Sequence, residues 1–144
     1  MTGRGSRVLA LDLGTVRIGL ALSDPARVIA MPAGKMNRRL LRDSLAPLIA
    51  LVGDNEVDTV VVGYPLLMSG EIGRRANDAE AFVRRLRAEL ACPVQLWDER
   101  LTSVQANRAL LEGDVRRRRR REVVDAAAAT LLLQSWLDAQ LGSS

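Results

Sequence analysis

The sequence contains no histidine and only one cysteine, Cys92, among its 144 residues. The usual general base of enzymes and the usual ligand of transition metals are therefore absent. A single cysteine also excludes an intrachain disulfide and a cysteine-based zinc cluster. Lysine is nearly absent as well, because Lys35 is the only lysine among 21 basic residues. Any catalysis must rest on carboxylates, hydroxyls, arginines or a hard cation held by oxygen atoms.

Long apolar runs are missing too. No stretch of the sequence is apolar over the length that a bilayer requires, and residues 1–6 lack the hydrophobic segment of a secretory signal. These absences predict a cytoplasmic protein with no membrane partner. The length predicts a single domain over residues 1–144, with flexible ends at 1–6 and 141–144.

The stretch around Asp12 is the most informative part of the sequence. Two apolar, β-compatible runs at residues 8–11 and 18–22 flank it, and Gly14 with Thr15 predicts a tight turn between them because glycine tolerates a positive φ. Asp12 then lies at the carboxyl end of the first strand of a hairpin. A carboxylate buried there needs a cation, a metal or a hydrogen-bond network beside it.

The remaining pattern predicts an α/β fold. Apolar runs and helical periodicity alternate along the chain, which favours parallel strands with helices packed on the sheet. Apolar residues recur at helical spacing from Leu40 to Val52, and this first predicted helix ends at Gly53. If its regular part begins with Ser44 as N-cap, Pro47 lies in the first turn; otherwise a kink is expected. Asn77 and Glu80 resemble a capping box. The predicted strands lie at 8–11, 18–22, 28–31 (stopped by Pro32), 57–62 and 94–97, and the predicted helices at 40–53, 77–90, 103–113 and 122–140.

The predicted sheet is therefore five-stranded and mixed. Three antiparallel meander strands precede two parallel strands, and helices cover both faces. Asp12 and Glu99 both come at the carboxyl ends of strands that should run parallel. The face of the last helix that carries Asp125 continues at three- and four-residue steps through Ala128, Ala129, Leu132 and Trp136.

These three acids, Asp12, Glu99 and Asp125, are the predicted catalytic and metal-binding residues. Carboxylates that share one cleft repel each other, so divalent cations between them stabilise the arrangement. Mg²⁺ or Mn²⁺ suits a site made of oxygen atoms alone. Two such ions about 4 Å apart support phosphoryl transfer.

Arginines and small polar residues supply candidate phosphate contacts. Six consecutive arginines at residues 116–121 form either a solvated, self-repelling segment or a phosphate-binding patch. Thr102 forms a second capping box with Gln105, so the hydroxyls of Thr102 and Ser103 lie at a helix N-terminus. The predicted phosphate contacts are Arg17, Arg74, Arg75, Arg100, Thr102, Ser103, Arg116, Arg117, Arg118, Arg119, Arg120 and Arg121. The predicted turn residues at the site are Gly14, Thr15, Gly63 and Gly70.

Four motifs in this order resemble the YqgF/RuvX family of predicted Holliday-junction resolvases, which have a ribonuclease H-like fold. They are Asp-Leu-Gly-Thr-Val-Arg-Ile-Gly at 12–19, Val-Val-Gly-Tyr-Pro at 61–65 with Met-x-Gly at 68–70, Asp-Glu-Arg-Leu-Thr at 98–102 and Val-Asp-Ala-Ala-Ala at 124–128. The resemblance implies that Asp12, Glu99 and Asp125 bind metal, and that the arginine block lies in a segment usually rich in lysine or arginine.

The resemblance leaves the substrate open between four-way DNA junctions and structured RNA, since family members are also associated with processing of precursor 16S ribosomal RNA. A junction has two strands to cut, which favours a homodimer, although the sequence shows no clear interface stripe. The chain departs from the family at Tyr64, where leucine is usual, at Leu66 and Leu67, which replace a more polar pair, and at Arg74, which is often proline. The last motif also lacks its usual serine. The acids are unaffected, so the departures concern the substrate loop.

The sequence thus predicts a metal-dependent nuclease that acts on branched or structured nucleic acid. Two other functions fit parts of the sequence. A non-catalytic nucleic-acid or ribosome-binding module could share this fold, although the intact acids argue against it. The Asp-Leu-Gly-Thr segment also resembles the phosphate-binding hairpin of actin-like ATPases. Those proteins enclose a nucleotide between two lobes, whereas 144 residues provide one.

Overall fold

The computed structural model describes residues 6–65, 69, 71–99 and 117–142, with the backbone alone for 117–126 and 142. The fold consists of one mixed sheet with helices on its two faces. In chain order the elements are β1 Arg7–Leu13, β2 Arg17–Ser23, β3 Ala30–Asn37, α1 Arg38–Asp43, α2 Ala46–Asp54, β4 Val57–Tyr64, α3 Arg74–Glu89, β5 Val94–Asp98 and α4 Arg117–Gly142. None of the helices described combines the length and the apolar character needed to cross a bilayer.

The five strands lie in the order β3-β2-β1-β4-β5. β1 pairs antiparallel with β2, and β2 pairs antiparallel with β3. β4 runs parallel to both β1 and β5. The predicted fold class, three meander strands followed by two parallel strands, is therefore confirmed.

Alternating side chains of the central strands build a separate core on each face of the sheet. Leu9, Leu11, Val60 and Val62 belong to the first cluster, which packs against α1, α2 and α3. The second cluster lies on the opposite face, under α4. Its members are Val8, Ala10, Ala21, Ala30, Val61, Ala128, Ala129, Leu132, Leu133, Trp136 and Leu137.

Both tryptophans fix α4 to β5. The indole N–H of Trp97 donates to Oγ of Ser135 at 3.3 Å, and that of Trp136 donates to Oε1 of Gln95 at 3.3 Å. An aromatic ring with one polar atom suits such a junction, because the ring fills the core while the N–H finds a partner. These bonds therefore attach the helix to the β5 edge of the sheet.

Gln134 fixes the same helix to the opposite edge of the sheet. Its Oε1 accepts a hydrogen bond from the backbone N–H of Ala30, and its Nε2 donates to the carbonyl of Val28, both at 2.9 Å. Side-chain bonds to backbone groups at a sheet edge replace the partners that a missing strand would supply. Helix α4 is thus held at both edges of the sheet.

The third strand differs from its prediction. β3 runs through Pro32, which was predicted to stop it, because β3 is the edge strand and a missing N–H costs little there. Ala33 and Gly34 together lie opposite Leu20, and Gly34 adopts a φ of 90°. This bulge lets the edge strand continue past the proline.

The helix boundaries were predicted less well than the strands. A break at Ser44 separates α1 from α2, and Pro47 lies in the first turn of α2, as predicted. The N-cap residue is Leu45, although Oγ of Ser44 accepts from the N–H of Ala46 at 3.1 Å. The predicted capping box at Asn77 is wrong, because α3 begins at Arg74 and Asn77 already makes an ordinary helical bond.

Helix α4 begins at Arg117, five residues before the predicted start at 122. Arginine is a good helix former, so most of the arginine block continues the helix instead of preceding it. The predicted helix over residues 103–113 lies outside the described residues.

Candidate functional site

Asp12 lies near the carboxyl end of β1 and is 3% exposed. Because side chains alternate along a strand, Asp12 shares its face with Val8 and Ala10, the face that α4 covers. A carboxylate in this position is removed from most of its hydration. The sequence prediction of a buried acid at this strand end is confirmed.

Glu99 follows β5 directly and is 2% exposed. A Cβ atom built on Gly63 would lie only 2.7 Å from Oε2 of Glu99, so this carboxylate lies against the backbone of β4. Leu11 of β1 pairs with Val62 of β4, which places Asp12 beside Gly63. The two acids therefore meet on the same face and at the same end of the sheet.

The donor set of this pair fits a hard cation. Oδ1 of Asp12 and Oε1 of Glu99 are buried atoms that accept no hydrogen bond in the described part of the chain, although both residues have other interactions. Two neighbouring buried carboxylates repel each other, and a divalent cation offsets that repulsion. Oxygen ligands without nitrogen or sulfur suit Mg²⁺ or Mn²⁺.

Asp125 is the third predicted acid. Its backbone lies in α4, one turn before Ala128 and Ala129, which pack on the sheet. The position of its side chain lies outside the described part of the structure. Among the described residues no group of three acidic, histidine or cysteine side chains forms a metal cluster. The convergence of Asp125 with Asp12 and Glu99 stays a prediction.

The hairpin turn after Asp12 is tight, as predicted, but for a different reason. The N–H of Gly14 donates to the carbonyl of Arg17 at 2.9 Å. A Cβ atom on Gly14 would lie 2.5 Å from that carbonyl oxygen, whereas its φ is not in the left-handed region. Close approach of the backbone therefore requires the glycine, and Thr15 lies exposed at the tip. Gly63, predicted as a turn residue, lies inside β4 instead.

One predicted phosphate contact reaches the carboxyl end of β1. Arg75, in the first turn of α3, donates from Nη2 to the carbonyl of Leu13 at 3.2 Å, one residue after Asp12. Arg74 begins the same helix and is exposed, while Arg17 begins β2 and is half-buried. The structure thus places these three arginines around the hairpin end of the sheet.

Several predicted site residues lie outside the described residues or are described by their backbone alone. Those outside the described residues are Gly70, Arg100, Thr102, Ser103 and Arg116. The backbone of residues 117–121 forms the first turns of α4. Their predicted roles stay predictions.

Tyr64, one of the departures from the family pattern, ends β4 and donates its hydroxyl to Oε2 of Glu80 on α3. This hydrogen bond favours the neutral phenol and raises the pKa of Tyr64 above its ordinary value of 10.0. Partial burial and the charges of Glu80 and Asp98 act in the same direction. Tyr64 thus ties the strand end beside the acids to the helix that carries Arg75.

A basic cleft between the hairpin turn, α1 and α3 was not predicted from the sequence. Its basic residues are Arg38, Arg42 and Arg85. They come from two helices far apart in the sequence, and no motif links them. Only the tertiary packing of α1 against α3 brings them together.

Comparison with known proteins adds a family match. A family model described as RuvX, Holliday junction resolvase, matches residues 6–139. A relative from Moorella thermoacetica named "Putative pre-16S rRNA nuclease" is 48% identical over 132 residues, which cover 92% of this chain and 94% of the relative. A relative of the same name from Myxococcus xanthus is 47% identical, over 92% of this chain and 88% of its own length.

Solved structures share the fold at low sequence identity. RuvC from Thermus thermophilus, solved in complex with a Holliday junction substrate, has a TM-score of 0.59 at 14% identity, over 96% of this chain and 97% of its own. The Fowlpox virus resolvase, solved with Holliday junction DNA, has a TM-score of 0.56 at 10% identity, over 94% and 99%. At these identities the likeness establishes the fold alone.

Proposed function

Because the chain belongs to the RuvX family of Holliday junction resolvases, we propose that it is a divalent-metal-dependent endonuclease acting on branched or structured nucleic acid. The observation that carries the proposal is the burial of two acids together, Asp12 on β1 and Glu99 after β5, at one end of the sheet. Carboxylates buried at the same end of a sheet repel each other, and a divalent cation would offset that repulsion.

Asp12, Glu99 and Asp125 would hold Mg²⁺ or Mn²⁺. When bound, such ions activate water and stabilise the leaving oxygen of a phosphodiester. The chain itself supplies rigid carboxylates, since Asp12 lies within a central strand and Glu99 is held against the backbone of Gly63. A rigid donor set needs little reorganisation during the reaction.

The arginines around the hairpin would position the substrate backbone. Arg75 is anchored beside Asp12 by its bond to the carbonyl of Leu13, and its remaining N–H groups are available to a phosphate. Arg17, Arg74, Arg100 and the arginines at 116–121 would add further phosphate contacts, and Thr102 with Ser103 would donate hydrogen bonds. Such contacts set register and orientation without reading sequence.

Two substrate classes follow from the relatives. The curated relatives carry a precursor 16S ribosomal RNA nuclease name, while the family description and the solved neighbours refer to Holliday junctions. Both substrates present strands that diverge from a duplex. Action on ribosomal RNA precursors would place the enzyme in the cytoplasm. A homodimer would bring two sites to the two strands of a junction.

The two alternatives are a binding module without catalysis and a lobe of an actin-like ATPase. The ATPase needs a second lobe, and the relatives from Moorella thermoacetica and Myxococcus xanthus are matched over 94% and 88% of their own lengths, which leaves no room for one in them. The binding module would keep affinity for nucleic acid without any need for buried acids. Nuclease activity therefore remains the function that the site supports best.

A cleavage assay with a four-way DNA junction and a precursor 16S RNA fragment, in Mg²⁺ or Mn²⁺ and in chelator, tests the proposal. The wild type is expected to cut at least one substrate with metal and neither in chelator. Asp12→Asn should bind both and cut neither, and the control Asp54→Asn, exposed at the end of α2, should cut like the wild type. Binding of both substrates by the wild type without cleavage of either would favour the binding module.

A further inference from the structure

The basic cleft has a volume of about 390 Å³ and opens between the β1–β2 turn, α1 and α3. It lies on the first-cluster face of the sheet, opposite the face that carries Asp12 and Glu99. The proposed active site does not use it. Its lining consists of Thr15, Arg38, Arg42, Asp78, Ala81, Phe82 and Arg85.

The cleft carries an excess of positive charge. Three guanidinium groups face one carboxylate, which leaves two net positive charges. Asp78 pairs with Arg38, whereas the side chain of Arg42 makes no hydrogen bond or ion pair within the described ranges. Like charges gathered in one cleft repel each other, and an anion in the cleft removes that repulsion.

Two of the arginines are held in place by backbone carbonyls. Nη1 of Arg38 donates to the carbonyl of Gly14 at 2.8 Å, and Nη2 of Arg85 donates to that of Leu41 at 2.7 Å. Each guanidinium has five N–H donors, so these bonds fix the groups and leave donors for a ligand. Fixed, forked donors match the geometry of a phosphate and lose little freedom on binding it.

The position of the cleft indicates which phosphate it would take. Thr15 lines the cleft and follows Asp12 by three residues, so their Cα atoms are at most about 11 Å apart. Phosphates of one nucleic-acid strand advance about 3.4 Å per nucleotide along a duplex axis, so this upper limit corresponds to roughly three nucleotides. A strand that passes over the hairpin tip from the acids would therefore reach the cleft within a few nucleotides.

We propose that the cleft of Arg38, Arg42 and Arg85 binds a backbone phosphate of the nucleic acid a few nucleotides from the bond at Asp12. The hairpin turn then lies between two contacts with the same ligand, one on each face of the sheet. This inference rests on the proposed function for the identity of the ligand, but it concerns binding and is measured without cleavage.

The test measures binding of a stem–loop RNA and of a four-way DNA junction over a series of salt concentrations, in chelator. Ala81→Glu adds a carboxylate to the cleft, and Ala88→Glu adds the same residue at an exposed position of α3 outside it. Arg42→Gln removes the cleft guanidinium that makes no bond to any residue the structure describes, and Arg84→Gln is its exposed control. Arg38 and Arg85 are not substituted in this test, because their removal would leave the carbonyls of Gly14 and Leu41 without these hydrogen-bond donors.

Arg42→Gln is expected to flatten the slope of log affinity against log salt by about 0.7–0.9, because one phosphate fewer is neutralised, while Arg84→Gln leaves the slope unchanged. Ala81→Glu should weaken binding several-fold and Ala88→Glu should not. Equal slopes and affinities in each pair would overturn the inference even if the wild type cleaves. A weaker affinity of Ala81→Glu for AMP, with unchanged binding of both polymers, would also overturn it and assign the cleft to a nucleotide.

These outcomes are independent of the proposed nuclease activity. A wild type that never cleaves but shows the expected differences within each pair would keep the cleft as a backbone contact and remove the proposed catalysis. A wild type that cleaves but shows no such differences would keep the proposed catalysis and remove the cleft as a backbone contact.

Discussion

Gly63 and Glu99 are in such close contact that a Cβ atom at position 63 would lie 2.7 Å from Oε2 and 3.3 Å from Cδ of the glutamate. Real Cβ contacts essentially never reach the shorter distance. Any side chain at position 63 therefore displaces the carboxylate. The glycine defines where Glu99 lies relative to Asp12 on the neighbouring strand.

Gly63→Ala is expected to reduce cleavage about 100-fold, because a catalytic group displaced by about 1 Å loses activity on that scale. The fold should survive, since Gly63 has ordinary strand geometry and alanine is tolerated there by the backbone. Cleavage rate and circular dichroism measured together separate the two effects.

Gly53→Ala is the matched control, because nothing lies within 4 Å of a Cβ atom at that position of α2. It should keep full activity and stabilise the protein by about 0.5–1 kcal/mol, the helical preference of alanine over glycine. If Gly63→Ala cleaves as fast as Gly53→Ala, Gly63 does not position Glu99.

Tyr64 is the only tyrosine of the chain, so its ionisation can be followed alone by the absorbance of the phenolate. The bond to Glu80 raises its pKa, so the titration midpoint should lie above 10.0, and Glu80→Gln should bring it back towards that value. The folded pKa is raised, so the bond stabilises the fold below pH 10 and this stabilisation is lost as the pH rises through the folded pKa.

Glu89→Gln, exposed at the end of the same helix, is the control and should leave the midpoint unchanged. A wild-type midpoint at or below 10.0, or an equal shift in both variants, would remove the Tyr64–Glu80 bond from the account of how α3 is attached to the strand end.

Replacement of Arg117, Arg118, Arg119, Arg120 and Arg121 by glutamine tests whether the start of α4 binds phosphate. Glutamine keeps the helical preference of arginine, so the helix should persist. The slope of log affinity against log salt should flatten by about 0.7–0.9 for each phosphate that the block neutralises in the wild type. Unchanged helicity by circular dichroism, together with an unchanged slope, would assign the block to a solvated helix face.

The strands and the first acid could be predicted because their signals are local. Near-continuous apolar runs indicated the central strands, and alternation along β1 placed Asp12 on the face of Val8 and Ala10. The position of Glu99 followed from the parallel order of strands. Local patterns sufficed wherever burial on a central strand determined the structure.

Other features depend on contacts that no local pattern contains. Pro32 stops a central strand but is tolerated in β3, and its edge position depends on the whole sheet order. Glu80 has the spacing of a capping box, yet its side chain bonds to Tyr64. The basic cleft combines arginines from α1 and α3, and only their packing reveals it.

The central claim is that Asp12 and Glu99 together hold a divalent cation, and calorimetric titration with MnCl₂ measures it directly. The wild type and Asp54→Asn are expected to bind Mn²⁺ alike, while Asp12→Asn and Glu99→Gln each weaken binding more than about 10-fold. Both variants should keep the fold, because each replaces a buried carboxylate by a neutral group of the same shape. Folded variants that bind Mn²⁺ as tightly as the wild type would contradict the account.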